Sequence, residues 1–198
     1  MAKLTQVRKS AYYLTEPAIR LLVRTHITPT TLTWLGFSIT LGAAALIATG
    51  HLFIAGFVVL IAGFFDMLDG ALARRTNKVT RFGAILDSTL DRVSEAVLLL
   101  SILIFYLLGN QPVIGILLVC LALISSQLVS YVRARAEAAG LECQVGLFTR
   151  AERVIVLAVG LLLSHFGYAL FGALAVIAVF SFVTAGQRLY HVLKQTQK

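Results

Sequence analysis

Long apolar runs interrupted by short polar or basic stretches make up most of the chain, and the breaks fall at intervals close to a bilayer crossing. A crossing helix needs about 20 mostly apolar residues. The pattern predicts spans over residues 29–49, 51–73, 83–108, 113–138, 150–165 and 168–190. Pro29 and Pro112 stand at first-turn positions, where a proline's missing N–H is not needed. Gly36, Gly42, Ala43, Ala44 and Ala45 allow close helix approach within the first span. Residues 1–27 are too polar to cross, yet Leu4, Val7, Ala11, Leu14, Ala18, Leu21 and Leu22 recur at near-helical spacing while Arg8, Lys9, Arg20 and Arg24 take other positions. That pattern predicts an amphipathic helix lying on the membrane surface. A cleaved signal peptide fits less well, because the first long apolar run starts only near Thr31 and shows no short apolar region followed by a small-residue cleavage site. The expected organisation is an all-α polytopic membrane protein: a juxtamembrane helix over 1–27, then a six-helix domain over 28–198.

Composition supports this layout. Of 198 residues, 59% are hydrophobic and 13% charged, with a mean hydropathy of +0.89, so any chemistry must sit on the spans or at their ends. The net charge of +8 does not point to nucleic acid, because the Lys and Arg residues fall in four clusters between apolar runs. Lys3, Arg8, Lys9, Arg20 and Arg24 precede the first span; Arg74, Arg75, Lys78, Arg81 and Arg92 follow the second; Arg133, Arg135, Arg150 and Arg153 follow the fourth; Arg188, Lys194 and Lys198 end the chain. The turns near Gly50–His51, Gly109–Pro112 and Ser164–Gly167 hold none. Six spans with both termini in the cytoplasm put every basic residue on the positive-inside face. Cys120 and Cys143 offer neither a disulfide framework nor metal-ligand spacing.

The unusual residues are acidic. Asp66, Asp69, Asp87 and Asp91 lie in or beside the second and third spans, where one ionised carboxylate costs on the order of 3 kcal/mol at a helix centre. Asp66 and Asp69 are three apart and Asp87 and Asp91 four apart, so each pair shares a helix face. One pair alone would read as a partner for Arg74, Arg75, Arg81 or Arg92. Two pairs meeting at the ends of neighbouring helices place four carboxylates together and call for a cation. All-oxygen donors without a nearby His or Cys select Mg²⁺, Mn²⁺ or Ca²⁺. Gly70, directly after Asp69, permits close approach of a ligand. The basic loop that follows, beginning with Arg74, suits a substrate rich in phosphate oxygens, such as a diphosphate.

Residues 66–91, DMLDGALARRTNKVTRFGAILDSTLD, resemble the signature of the CDP-alcohol phosphotransferase family, D-x2-D-G-x2-A-R-x8-G-x3-D-x3-D. All eight fixed positions match, at Asp66, Asp69, Gly70, Ala73, Arg74, Gly83, Asp87 and Asp91. The resemblance implies six helices, a cytoplasmic active site and a homodimer in the cell membrane. It also implies transfer of a phosphatidyl group from CDP-diacylglycerol, or a related CDP-lipid, to an alcohol with release of CMP. By that likeness Asp66, Asp69 and Asp87 bind two divalent ions, Mg²⁺ or alternatively Mn²⁺, while Asp91 reaches the metal site and accepts the proton. Gly70, Ala73, Arg74 and Gly83 would line the CMP pocket with Thr80 beside them. The segment Thr28-Pro29-Thr30-Thr31-Leu32-Thr33 resembles a second family segment that places Pro29 and Thr33 at the CDP-lipid. It departs from the usual Asn or Asp at Thr30, where a capped helix start explains Thr28 and Pro29 equally well.

The acceptor is read from Arg133, Arg135, Arg150 and Arg153, which bracket the connection between the fourth and fifth spans and suit a phosphate on the incoming alcohol. Cations at a helix start, as in Arg150-Ala151-Glu152-Arg153, run against the helix dipole unless they serve another purpose. The run Ser130–Glu137 together with Gly146-Leu147 and Arg150–Arg153 is similar to the phosphatidylinositol-phosphate synthase branch, whose acceptor is inositol 1-phosphate. Glycerol 3-phosphate, as in phosphatidylglycerophosphate synthases, and an archaeal CDP-lipid with inositol phosphate are the alternatives. A UbiA-type prenyltransferase would need more spans and different motif spacing. A transporter would call for an inverted repeat or interrupted helices. Release of CMP separates all three.

Overall fold

The computed structural model describes Glu16, Ile19, Leu22, Val23 and residues 27–109 and 112–197. Within them lie six α-helices: α1 Pro29–Ala48, α2 Leu52–Arg75, α3 Arg81–Leu108, α4 Val113–Ala138, α5 Arg150–Leu162 and α6 Ala169–Thr196. The juxtamembrane helix expected over 1–27 lies outside the described residues apart from four helical positions. Of these, Ile19 packs with Leu32, Leu68 and Leu72, and Glu16 accepts from the Arg75 guanidinium at 2.9 Å.

Local chemistry sets the helix starts. Thr28 caps α1, its Oγ1 accepting from the Thr31 N–H at 3.2 Å with Pro29 following. Thr80 caps α3 through the Gly83 N–H at 2.9 Å, and the Glu152 carboxylate accepts from the Thr149 N–H at 2.8 Å at the start of α5. Such caps satisfy backbone donors that lack an intrahelical partner.

α1, α2, α4 and α6 are long and apolar enough to cross a membrane. α3 has 28 residues but carries Asp87, Asp91, Arg92 and Glu95 between its start and its midpoint turn. α5 has 13 residues, about 20 Å at 1.5 Å per residue, against a hydrocarbon core of about 30 Å. The helix expected to run to residue 165 stops at Leu162 because Leu163–Tyr168 form consecutive turns.

The principal packing contacts close the helices into a ring in the order α1, α2, α5, α6, α4, α3 and back to α1. α1 therefore separates α2 from α3, although only a short loop with Asn77 at φ +52° joins those two. Close approach relies on small residues: a Cβ at Gly56 of α2 would sit 2.8 Å from Leu162 Cγ of α5. The core fills one end of the ring with Ile47, Val59, Leu99, Ile102, Leu161, Leu174 and their neighbours. Toward the other end, α3 and α5 face each other across a cavity of about 200 Å³.

Candidate metal centre

Helical spacing turns the α2 and α3 aspartates toward one another at the mouth of this cavity. Oxygens of Asp66, Asp69 and Asp87 lie within 4.8 Å of one another. Asp69 is only 3% exposed, and its Oδ2 is buried without a hydrogen-bond partner among the described residues. Thr33, one turn into α1, donates to the Pro29 carbonyl at 3.1 Å and lines the same cavity. Three clustered carboxylates, one with a buried unpaired oxygen, form a hard donor set that fits a divalent cation.

A fourth side chain completes the cluster. Arg150, the first residue of α5, places Nη1 2.5 Å from Asp66 Oδ2 and 2.6 Å from Asp91 Oδ1. A cation at a helix start is thus accounted for by two acids on two other helices. One turn further in, Arg153 makes a two-point pair with Glu95, Nε to Oε1 at 2.5 Å and Nη2 to Oε2 at 2.8 Å. Arg150 Nε and Arg153 Nη1 are buried donors with no partner among the described residues. Asp66, Asp91, Glu95, Arg150 and Arg153 all line the same cavity.

The other anticipated residues fall in several surroundings. Gly70 and Ala73 continue the aspartate face of α2, and the space beside Gly70 is taken by Arg74, whose Nη1 lies 3.4 Å from where a Cβ would be. Gly83 leaves room for the cap, since a Cβ there would sit 2.8 Å from Thr80 Oγ1. Arg133 and Arg135 are exposed at the end of α4, with Arg133 paired to Glu137 at 2.8 Å. The four arginines therefore do not share one environment: Arg150 and Arg153 face the cavity, and Arg133 and Arg135 face solvent.

Two buried charges went unnoticed in the sequence. Glu95 continues the Asp87–Asp91 stripe by one more helical turn, a signal that the spacing carries. Arg188, read only as part of the terminal basic cluster, is buried and donates to the carbonyls of Val145 at 2.9 Å and Val129 at 2.6 Å. With Thr184, whose Oγ1 accepts from the Phe148 N–H at 3.2 Å, it ties the loop before α5 to α6.

Comparison with known proteins agrees with the geometry. The sequence profile of the CDP-alcohol phosphatidyltransferase family matches residues 26–184. The phosphatidylinositol phosphate synthase of Mycobacteroides abscessus is 40% identical over 189 residues, covering 93% of this chain and 86% of that protein. The crystal structure of Mycobacterium tuberculosis phosphatidylinositol phosphate synthase with CDP-DAG bound superposes with a TM-score of 0.82 at 36% identity, covering 91% of this chain and 94% of that one. The same enzyme in complex with manganese and citrate gives a TM-score of 0.82 at 36% identity, with coverage of 90% and 88%.

Proposed function

The chain belongs to the CDP-alcohol phosphatidyltransferase family, and from that membership we propose that it transfers a phosphatidyl group from CDP-diacylglycerol to inositol 1-phosphate, forming phosphatidylinositol phosphate and releasing CMP. The observation that carries the reading is the Asp66–Asp69–Asp87 cluster within 4.8 Å, set on all eight positions of the signature. The likeness to proteins named phosphatidylinositol phosphate synthase supports inositol 1-phosphate as the acceptor.

Asp66, Asp69 and Asp87, with Asp91 reaching in, hold two Mg²⁺ ions, for which Mn²⁺ substitutes. When bound, such ions neutralise the diphosphate and polarise the phosphorus–oxygen bonds. Asp91 takes the proton from the acceptor hydroxyl as its oxygen bonds to the lipid-linked phosphorus and the bond to the CMP oxygen breaks. A carboxylate is a weak base for an alcohol, so in-line positioning by the surrounding side chains carries much of the work. Pro29, Thr33, Gly70, Ala73, Arg74, Thr80 and Gly83 form the CDP-lipid side of the site. Arg150 and Arg153 receive the acceptor phosphate, with Arg133 and Arg135 at its approach. The unpartnered Arg150 Nε and Arg153 Nη1 support this assignment.

Residues 28–198 form the catalytic domain of a homodimer in the cell membrane. All six helices cross, α3 and α5 included, with the termini and metal site cytoplasmic; the distribution of Lys and Arg supports that orientation. The test is CMP release from CDP-diacylglycerol by purified protein with Mg²⁺, run against inositol 1-phosphate, glycerol 3-phosphate, free inositol and serine. Release with inositol 1-phosphate well above the others is expected. Preference for free inositol or serine would refute the acceptor assignment, and no CMP with any alcohol would refute the reaction.

A further inference from the structure

The ring leaves α3 and α5 without close packing on each other: α3 packs mainly on α1 and α4, and α5 mainly on α2 and α6. What joins them beside the cavity is a ladder of two ion pairs. Asp91 and Glu95 are four apart on α3, Arg150 and Arg153 three apart on α5, so each pair of like charges shares one helix face. The outer rung is Asp91–Arg150 at 2.6 Å, and the inner rung is Glu95–Arg153 at 2.5 Å. Glu95 is 6% and Arg153 2% exposed, which keeps the inner rung away from bulk water.

We infer that Glu95 is a positioning residue for Arg150: by gripping Arg153 with both carboxylate oxygens it sets the rotation and height of α5 against α3, and so brings Arg150 onto Asp66 and Asp91. The two-point grip fixes direction as well as distance. Bulk stability does not require such a pair, since a well-packed apolar pair serves a buried site as well or better. A register function accounts for charges where apolar residues would otherwise suffice. The geometry also gives the site a consequence. Arg150 shares Asp66 and Asp91 with any divalent cation those acids hold, so a residue that keeps Arg150 in place also sets how tightly the cation binds.

The inference rests on the proposed role of Asp66 and Asp91 at the metal, and its test reads Mn²⁺ binding without turnover. Mn²⁺ titrations of purified protein, followed by the electron paramagnetic resonance signal of free ion, are run on wild type, Arg150→Gln, Glu95→Gln and the double variant. Arg150→Gln is expected to tighten Mn²⁺ about tenfold and Glu95→Gln about threefold, and in the double variant Glu95→Gln adds nothing, because both changes act through one contact. A purely structural Glu95 gives effects that add, or none. Weaker binding in Glu95→Gln, or additivity in the cycle, overturns the inference. If Glu95→Gln does not fold, the apolar exchange Glu95→Leu/Arg153→Met takes its place, with the same non-additivity expected. An unaltered affinity in Arg150→Gln removes the contact on which the inference depends and overturns it, while CMP release continues to test the proposed reaction by itself.

Discussion

Replacing Arg150 with Gln probes the site most sharply, because it should move two binding steps in opposite directions. Arg150 Nη1 touches Asp66 at 2.5 Å and Asp91 at 2.6 Å, with the three side chains 27%, 30% and 23% exposed. At a charge separation of about 4 Å, one pair is worth about 1 kcal/mol in water and about 4 kcal/mol at an effective dielectric near 20. Partial exposure puts these contacts toward the lower figure. Incoming cations recover part of that energy by taking over the same carboxylates, so a net competition of about 1.4 kcal/mol, or about tenfold in affinity, is the reasonable scale. Arg150→Gln should therefore bind Mn²⁺ about tenfold more tightly in the absence of substrates. Its apparent KM for inositol 1-phosphate should rise about tenfold or more, since a charge-assisted contact contributes about 1.5–3 kcal/mol. The KM for CDP-diacylglycerol should change little. Paramagnetic resonance titration measures the first effect and CMP release the others. Unchanged or weaker Mn²⁺ binding would show that Arg150 is not the counterion of these acids, and equal shifts in both KM values would show that it does not select the acceptor.

Asp66→Asn, Asp69→Asn and Asp87→Asn should each abolish CMP release while eluting as folded protein on gel filtration, and near-normal turnover with Mg²⁺ in any of them would remove the metal assignment. EDTA should stop the wild-type reaction, with Mg²⁺ or Mn²⁺ restoring it; turnover that persists in EDTA contradicts the carboxylate site. Thr80→Ala should lower stability by about 1 kcal/mol through loss of the α3 cap, read as a fall in Tm, and Thr80→Ser should recover it. A KM change for CDP-diacylglycerol in Thr80→Ser with Tm intact would instead indicate substrate contact through the lost methyl. Cysteines introduced at His51 and Lys78 in a background free of Cys120 and Cys143 should be labelled from opposite sides of the membrane, and labelling from one side would overturn the crossing of α2.

Much of the architecture could be read from the chain because hydropathy and helical spacing are local properties. The apolar runs gave all six helices to within a few residues at most ends, and the aspartate spacing gave the faces that meet. Ring order could not be read in this way. Nothing in the spacing shows that α1 stands between α2 and α3, because that arrangement follows from helix packing of residues far apart in sequence. The four arginines illustrate the same limit: their proximity along the chain suggested one cluster, but α4 ends in solvent while α5 begins at the cavity.

Hydropathy is also least informative where the chemistry lies. α3 loses the apolar character of a crossing helix because Asp87, Asp91, Arg92 and Glu95 fall between its start and its midpoint turn. Ring closure changes the environment of those charges: Glu95 is buried against Arg153, Asp91 meets Arg150, and Arg92 Nη1 turns back to the Ser88 carbonyl at 2.9 Å. A charge that faces a partner inside the ring does not bear the full cost of facing lipid. Two acids of a helix that falls short of a crossing by hydropathy, Asp91 and Glu95, are thus matched by arginines across the cavity. The partners are spaced by three residues on α5 and four on α3, a correspondence that identifies the ladder once the two helices are known to face each other.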